Sequence, residues 1–176
     1  MPDPVNTQSG RGMRRFIERE THFYLGQPYR LVSKQGPLPY VKLVDNTIQI
    51  TLPTMPAPKQ LEAALYGWYA QRALKLFPER LDFCLKPFQE RFSFPLPKLH
   101  IRRMRSLWGS CSSRGKVTLN LELIRAPIDC LDQVITHEIC HLWHPNHGRG
   151  FYELFTQVMP DHPERKIRLN QWARSF

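Results

Sequence analysis

The stretch His137-Glu138-Ile139-Cys140-His141-Leu142-Trp143-His144-Pro145-Asn146-His147 decides the interpretation of this chain of 176 residues. It contains the pattern HExxH and a further histidine six positions later. On an α-helix, residues four positions apart lie on one face, so the imidazoles of His137 and His141 can converge on a single metal ion. Glu138 follows the first histidine and can act as a general base on water at that metal. The pattern therefore predicts a catalytic centre that binds one Zn2+ ion per chain.

The residues around this motif favour a helix and a turn that serve the same centre. Apolar residues recur at helical spacing and predict a helix from about residue 128 to residue 143, with Ile128 in its buried stripe. The proline after His144 disfavours helical geometry, and Gly148 favours a turn that brings the last histidine to the metal. A second amphipathic helix follows, with a stripe of Phe151, Leu154, Phe155 and Val158. We therefore predict three protein ligands, namely His137, His141 and His147.

Other residues near the motif leave alternatives open. His144 or Glu153 could replace His147 as the third ligand, and His147 would then cap the following helix. His144 otherwise suits a hydrogen bond to a ligand, or plain surface exposure. Arg149 or Tyr152 could stabilise negative charge on a reacting carbonyl, although both residue types are common on helix surfaces.

Length and composition bound the architecture. A chain of 176 residues with 41% hydrophobic content can bury one good core, and two large domains would not fit. The order of strand and helix patterns predicts an α+β fold with a small antiparallel or mixed sheet packed on the active-site helix. We expect residues 1–13 to be disordered, residues 14–57 to form a β-rich part, and residues 58–176 to form the metal-binding core.

The cysteines and the apolar runs indicate a cytoplasmic protein. The four cysteines show no CxxC pair, so we expect reduced thiols, and Cys140 is expected to be a small buried residue rather than a fourth ligand. No apolar run reaches the roughly 18 residues that a membrane span requires. The first residues also lack the apolar segment of a secretion signal, so we expect no membrane partner.

The charge of the chain suggests an acidic partner. The formal net charge is +10, and the segment from Lys98 to Arg125 contains seven Lys or Arg residues with Glu122 as the one acidic residue. Such a surface would bind phosphate backbones, and Trp108 beside it could stack on an exposed base. Alternatively, the basic surface keeps the protein soluble and Trp108 fills the core, since the chain shows no recognised nucleic-acid-binding motif.

Alternating apolar and polar residues predict strands in two parts of the chain. Residues 22–25 and 29–33 predict one β-hairpin, and residues 40–44 with 47–52 predict a second around the turn Asp45-Asn46. A strand near Leu99 and a hairpin from Trp108 to Leu121 are predicted directly before the metal-binding helix. The edge of that hairpin could bind an extended peptide.

Helical spacing predicts the remaining elements. Apolar residues from Leu61 to Leu76 predict a helix that breaks at Pro78, and a second helix continues to Phe92 with a kink at Pro87. The last stretch predicts a helix whose inward residues are Ile167 and Trp172.

Several short motifs surround the metal-binding helix: Leu107-Trp-Gly-Ser-Cys-Ser-Ser113 with Gly115, Leu119-Asn120 and Ala126-Pro127, and then His137-Glu-x-x-His141 and His147-Gly-x-x-Phe151. Together they resemble the YgjP-like metallopeptidase family over about residues 20–175. That family is related to the SprT-like proteases and belongs to the zincins. The resemblance implies a zincin-like fold with zinc held by His137, His141 and His147, and with Glu138 as the catalytic residue.

The motif and the resemblance together predict a zinc-dependent metallohydrolase, in the first place a peptidase that acts on a peptide or protein substrate. Zinc would lower the pKa of its water, and Glu138 would take the proton and later deliver it to the leaving amine. Two alternatives remain open. One is a metal-dependent nucleotide pyrophosphohydrolase. The other is a DNA-associated protease, or a nucleic-acid-binding module with a structural metal.

Overall fold

The computed structural model describes residues 15–174, which form two small β-sheets and four α-helices. The fold is α+β, as predicted. The disorder predicted for residues 1–13 lies outside the described residues. Among residues 15–174, none of the helices has the apolar length that a bilayer crossing requires.

The first sheet is built from the two predicted hairpins, and both are confirmed. Strands β1 (Thr21–Tyr24) and β2 (Gln27–Gln35) pair antiparallel, as do β3 (Tyr40–Val44) and β4 (Thr47–Leu52). The strand order is β1-β2-β4-β3, because β2 and β4 pair in parallel and join the hairpins. One face of this sheet carries fully buried residues such as Leu31 and contributes to the core.

The two helices predicted for the middle of the chain are a single helix, α1 (Pro58–Gln89), so the break predicted at Pro78 is wrong. A proline removes the hydrogen bond to the carbonyl four residues earlier, which here is that of Leu74. Both residues are exposed, so the proline lies on the solvent side of the helix. On the opposite face, Phe77 and Leu81 are buried and continue the apolar stripe past the proline. Burial along this stripe therefore outweighs the local cost of about 3 kcal/mol.

The second sheet carries the predicted strand and hairpin, which are confirmed. Strand β5 (Lys98–Arg102) pairs in parallel with β7 (Lys116–Asn120), and β6 (Gly109–Cys111) pairs antiparallel with β7. The buried side chain of Asn120 fixes the loop between β5 and β6, because its Nδ2 donates to the carbonyls of Met104 and Leu107 at 2.9 and 2.7 Å. Strand β6 lies at the edge of the sheet, beside the helix that carries HExxH.

The metal-binding helix, α2 (Ile128–Cys140), ends three residues before the predicted boundary at residue 143. Ile128 is 38% exposed and not part of a buried stripe, because it is the first residue of the helix and the buried run begins two residues later, at Cys130. Every residue from Cys130 to Cys140 is buried, so α2 is surrounded on all sides. All four cysteines are free, as predicted, and Cys140 is a buried residue.

Two helices from different parts of the chain hold α2 through one carboxylate. Asp132 of α2 accepts hydrogen bonds from Nε and Nη2 of Arg80 on α1 at 2.8 and 2.6 Å. Arg165, on the last helix, lies 3.8 Å from the same carboxylate. Asp132 is almost completely buried, and such bidentate arginine contacts fix orientation as well as position. Helix α2 is therefore anchored on two flanks.

Two further helices complete the fold, α3 (Arg149–Val158) and α4 (His162–Ala173). Phe151, Leu154 and Phe155 are buried in α3, as predicted. In α4 the prediction for Ile167 is wrong, since this side chain is 56% exposed. The buried residues of α4 are Leu169 and Ala173. Trp172 is half-buried, and its ring packs on that of Trp108 with the centroids 5.7 Å apart.

Candidate metal centre

Three histidines from three consecutive local structures converge at the end of α2. His137 lies in the last turn of α2, His141 caps the helix, and His147 follows in the loop before α3. One ring nitrogen of each lies within 4.8 Å of the other two, and the Nε2 atoms of His137 and His147 are 3.1 Å apart. The structure therefore brings together the three residues that the sequence predicts as ligands, in a group that could hold a metal ion.

His141 lies directly after the last residue of α2, where the backbone of His144 orients its ring. Its Nδ1 lies 3.0 Å from the backbone carbonyl of His144, which accepts a hydrogen bond from the protonated Nδ1. This tautomer leaves Nε2 of His141 without a proton, as a metal ligand requires. His144 thus supports the site through its main chain, and its ring packs against Gly150, where an added Cβ would approach the ring to 2.8 Å.

Phe151 forms an apolar wall against all three imidazoles. Its ring centroid lies 5.0, 4.8 and 4.6 Å from those of His137, His141 and His147, respectively. The side chain is fully buried in the first turn of α3, so it cannot move aside without opening the core. Phe151 therefore limits rotation of the three rings.

Burial keeps His137 in the neutral form that binds metals. Desolvation, together with the neighbouring charges of His141 and His147, lowers the pKa of His137 from 6.5 to about 3. A neutral imidazole has a free lone pair, whereas the protonated ring has none. The donor set therefore fits a transition metal such as zinc, for which neutral imidazole is a common ligand.

The lowered pKa of His137 predicts that the metal-free protein is destabilised by mild acid. The unfolded chain binds a proton near pH 6.5 and the folded chain only near pH 3, so stability falls as the pH drops from 6.5 towards 3. The contribution of this residue is at most about 1.4 kcal/mol per pH unit. Urea unfolding of metal-stripped protein between pH 7.5 and 4.5 measures it. The variant His137→Gln should lose stability less steeply, and equal slopes would contradict this account.

Glu138 is buried directly against strand β6. It is 1% exposed, and a Cβ built at Gly109 would lie 2.7 Å from its Oε1, 2.8 Å from its Cγ and 3.0 Å from its Cδ. The carboxylate also acts on Cys111 of the same strand, because burial and then the charge of Glu138 raise the pKa of this thiol to about 11. Position 109 must therefore be glycine if Glu138 is to keep this position.

The variant Gly109→Ala is expected to reduce hydrolysis by up to about 10²-fold, because the new methyl group displaces the carboxylate of Glu138 by a fraction of an ångström or more. Steady-state kinetics with the metal-loaded protein measure the effect, with metal content determined in parallel. The matched control is Gly148→Ala, where an added Cβ meets no atom within 4 Å. Equal activity of the two variants would show that Gly109 does not position Glu138.

The alternative ligands do not join the three histidines. Nε of Arg149 donates to the Glu153 carboxylate at 2.6 Å, and both side chains are exposed. Within residues 15–174, no carboxylate or thiolate completes the group of His137, His141 and His147. Three protein ligands without a fourth are typical of catalytic zinc sites, whereas structural sites usually close the sphere with four.

The two candidates for stabilising negative charge differ in position. Arg149 is 92% exposed and paired with Glu153, so its charge is directed to solvent. Tyr152 is closer to the metal centre, with its ring centroid 6.4 Å from that of His147. A role in catalysis stays a prediction for both residues.

Sequence reasoning missed three contributions to this centre. Gly109 belongs to a recognised motif, but its contact with Glu138 depends on how β6 packs against α2. Phe151 was predicted as a core residue of α3 and belongs to the motif that begins at His147, but its contact with all three imidazoles was not predicted. His162 and Lys166 of α4 also lower the pKa of His137. Their spacing of four positions indicates that they share one face of the last helix, but not that this face lies near His137.

Comparison with known protein families gives a match over most of the chain. A family model described as a YgjP-like metallopeptidase domain matches residues 5–172, which is nearly the whole chain. No curated protein and no solved structure matches the chain.

Proposed function

The chain belongs to the YgjP-like metallopeptidase family, and on this premise we propose that it is a zinc-dependent peptidase with His137, His141 and His147 as ligands and Glu138 as the general base. The convergence of the three imidazoles beside a buried carboxylate carries the proposal. The family supplies the metal and the peptide as substrate, and the donor set supports zinc.

When bound, zinc supplies a Lewis acid that polarises a scissile carbonyl and makes water more acidic. The chain's own residues then manage the proton. Glu138 accepts it from the attacking water as the new bond to the carbonyl carbon forms, and delivers it to the amine nitrogen as the C–N bond breaks. His137 and His141 hold their positions through burial and the hydrogen bond to the His144 carbonyl. Contact with Gly109 keeps the Glu138 carboxylate in one orientation.

The edge strand β6 supports a peptide as the substrate. Strand β7 is its one strand partner within the described part of the chain, so β6 is an edge strand of the second sheet. An extended peptide can add to such an edge by main-chain hydrogen bonds, without regard to its side chains. Because Gly109 begins β6 and touches Glu138, a peptide on this edge would pass close to the general base.

The direct test compares two substrate classes at the same site. We expect the zinc-loaded protein to cleave members of a mixed peptide library and to lose this activity when zinc is removed with a chelator and regain it on addition of zinc. Mass spectrometry of the library measures cleavage, and nucleoside triphosphates assayed for pyrophosphate release provide the comparison. Metal-dependent release of pyrophosphate without peptide cleavage would replace the peptidase by the nucleotide hydrolase.

A nucleic-acid partner remains a separate proposal that rests on the basic surface of the second sheet. Lys98 and Lys116 are direct neighbours on β5 and β7 and are exposed, as are Arg102 and Arg114. Like charges placed side by side repel each other, and an anion such as phosphate would relieve this repulsion. Two residues of the predicted nucleic-acid surface do not contribute to it. Arg125 is buried in an ion pair with Glu122, and Trp108 is buried and thus cannot stack on a base.

A further inference from the structure

Trp143 lies in the turn that follows α2, and its ring contacts three phenylalanines. It is stacked on the ring of Phe88, with the centroids 5.4 Å apart and an angle of 9° between the planes. The centroids of Phe92 and Phe94 lie 4.8 and 4.7 Å from that of Trp143. Phe88 is fully buried in the last turn of α1, and the other two phenylalanines follow in the connection to β5. We call these four residues the Trp143 cluster.

The turn that carries Trp143 also carries the carbonyl that orients His141. The backbone amides of Trp143 and His144 both donate to the carbonyl of Cys140, at 3.2 and 3.0 Å, and these bonds tie the start of the turn to α2. The next peptide group has no such bond, because its nitrogen belongs to Pro145, which has no N–H. Its carbonyl, that of His144, nevertheless accepts the hydrogen bond from Nδ1 of His141. The position of this carbonyl therefore depends on how the neighbouring side chains pack.

Of the neighbouring side chains, Trp143 makes the most extensive contacts. The ring of His144 packs against Gly150 of α3, where only a hydrogen atom faces it. The ring of Trp143 instead contacts three other rings, and aromatic rings attract each other at centroid distances of roughly 4.5–7 Å. Because Phe88 belongs to the core, its stacked partner is held against a part of the molecule that does not move. The Trp143 cluster therefore anchors the turn to the end of α1.

We propose that Trp143 is a positioning residue of the metal centre. Held by the three phenylalanines, it fixes the carbonyl of His144 and, through this carbonyl, the ring of His141. The inference rests on the proposed function, since it requires that the three histidines bind zinc, but it is independent of the substrate. Hydrogen-bond partners of metal ligands typically contribute about 10–100-fold to metal affinity. The connection between α1 and β5 thus takes part in setting the zinc affinity, although it supplies no ligand.

The first experiment compares two substitutions of Trp143 in the full-length protein. Trp143→Leu removes the ring, and we expect it to weaken zinc affinity about tenfold or more. Trp143→Phe keeps a ring that can stack on Phe88, so its zinc affinity should stay close to that of the unaltered protein. Competition with a fluorescent zinc chelator measures the affinity. Nitrogen-15 correlated NMR of the histidine rings in the zinc-loaded protein follows the Nδ1 proton of His141, which should exchange with solvent faster in Trp143→Leu than in Trp143→Phe.

Phe94 provides a second test, which leaves the segment of the metal ligands unaltered. Phe94→Leu removes one ring contact of Trp143, so it should weaken zinc affinity, but less than Trp143→Leu does. Added to Trp143→Leu, it should cause no further loss, because Phe94 acts on the centre through Trp143. The matched control is Tyr40→Leu, which removes a partly exposed aromatic ring from β3 in the first sheet and should leave zinc affinity unchanged. Should Trp143→Leu fail to fold, Phe94→Leu and its control decide the question.

Failure of this inference and failure of the proposed function give different results. If Trp143→Leu or Phe94→Leu folds and binds zinc as tightly as the unaltered protein does, the positioning role is rejected and the metal centre stands. The role is equally rejected if Phe94→Leu weakens zinc binding by the same factor with and without Trp143, or if the exchange of the His141 Nδ1 proton is unchanged in Trp143→Leu. An unaltered protein that binds no zinc would reject the metal centre itself, and this inference with it.

Discussion

Replacing Glu138 with glutamine is expected to lower kcat for peptide hydrolysis by about 10²–10⁴-fold, the usual contribution of a general base. Glutamine has nearly the same shape, so it can occupy the buried position against Gly109. It cannot accept the proton of the attacking water. The three histidines are unaltered, so zinc content and thermal stability should remain close to those of the unaltered protein.

Two measurements make this result decisive. Steady-state kinetics determine kcat, and elemental analysis of the same samples determines zinc per chain. Glu153→Gln is the matched control, because this carboxylate lies on the neighbouring helix α3 and pairs with Arg149 at the surface. Undiminished hydrolysis in Glu138→Gln, with zinc bound, would reject Glu138 as the base.

The variant His147→Ala is expected to lose zinc affinity by more than the 10–100-fold that is typical for removing a hydrogen-bond partner of a ligand. It removes one of three donor atoms from the group, and the remaining pair, His137 and His141, holds the ion less tightly. Hydrolysis should fall in parallel. Competition with a fluorescent zinc chelator measures the affinity, and addition of excess zinc should restore little activity.

His144→Ala serves as the control for that variant. The residue lies in the same loop and carries the same type of side chain, but it supports His141 through its backbone carbonyl, which the substitution retains. We expect its zinc affinity to stay within about tenfold of the original. If His144→Ala lost zinc as completely as His147→Ala, the third ligand would have been assigned to the wrong histidine.

Local patterns in the sequence predicted the elements well, because each pattern records a short-range physical requirement. The turn at Asp45-Asn46 fixed one hairpin, since residue 45 adopts a positive φ of 49° that asparagine and aspartate tolerate. The parallel pairing of β2 with β4 was not predicted, because it depends on contacts between whole hairpins. Continuity of α1 through Pro78 was missed for a similar reason, since the burial of Phe77 and Leu81 depends on tertiary packing.

In the candidate metal centre, too, the contacts that local geometry determines were predicted, and those between distant segments were not. The spacing of His137 and His141 on one helix predicted their convergence, because helical geometry alone determines it. The approach of His147 needed a turn, which the sequence indicated through proline and glycine. The contact of Gly109 with Glu138 and the wall formed by Phe151 involve distant segments, so no local pattern records them.

The anchoring of α2 through Asp132 has a consequence for the thermodynamics of metal uptake. Arg80 and Arg165 restrain the helix that carries His137 and Glu138, so these two side chains are preorganised when the chain folds. His147 lies beyond the end of α2, so these two arginines do not restrain its segment directly. For the part of the site on α2, the entropic penalty of assembly therefore falls on folding rather than on loading, which favours tight uptake at low free concentrations of the ion.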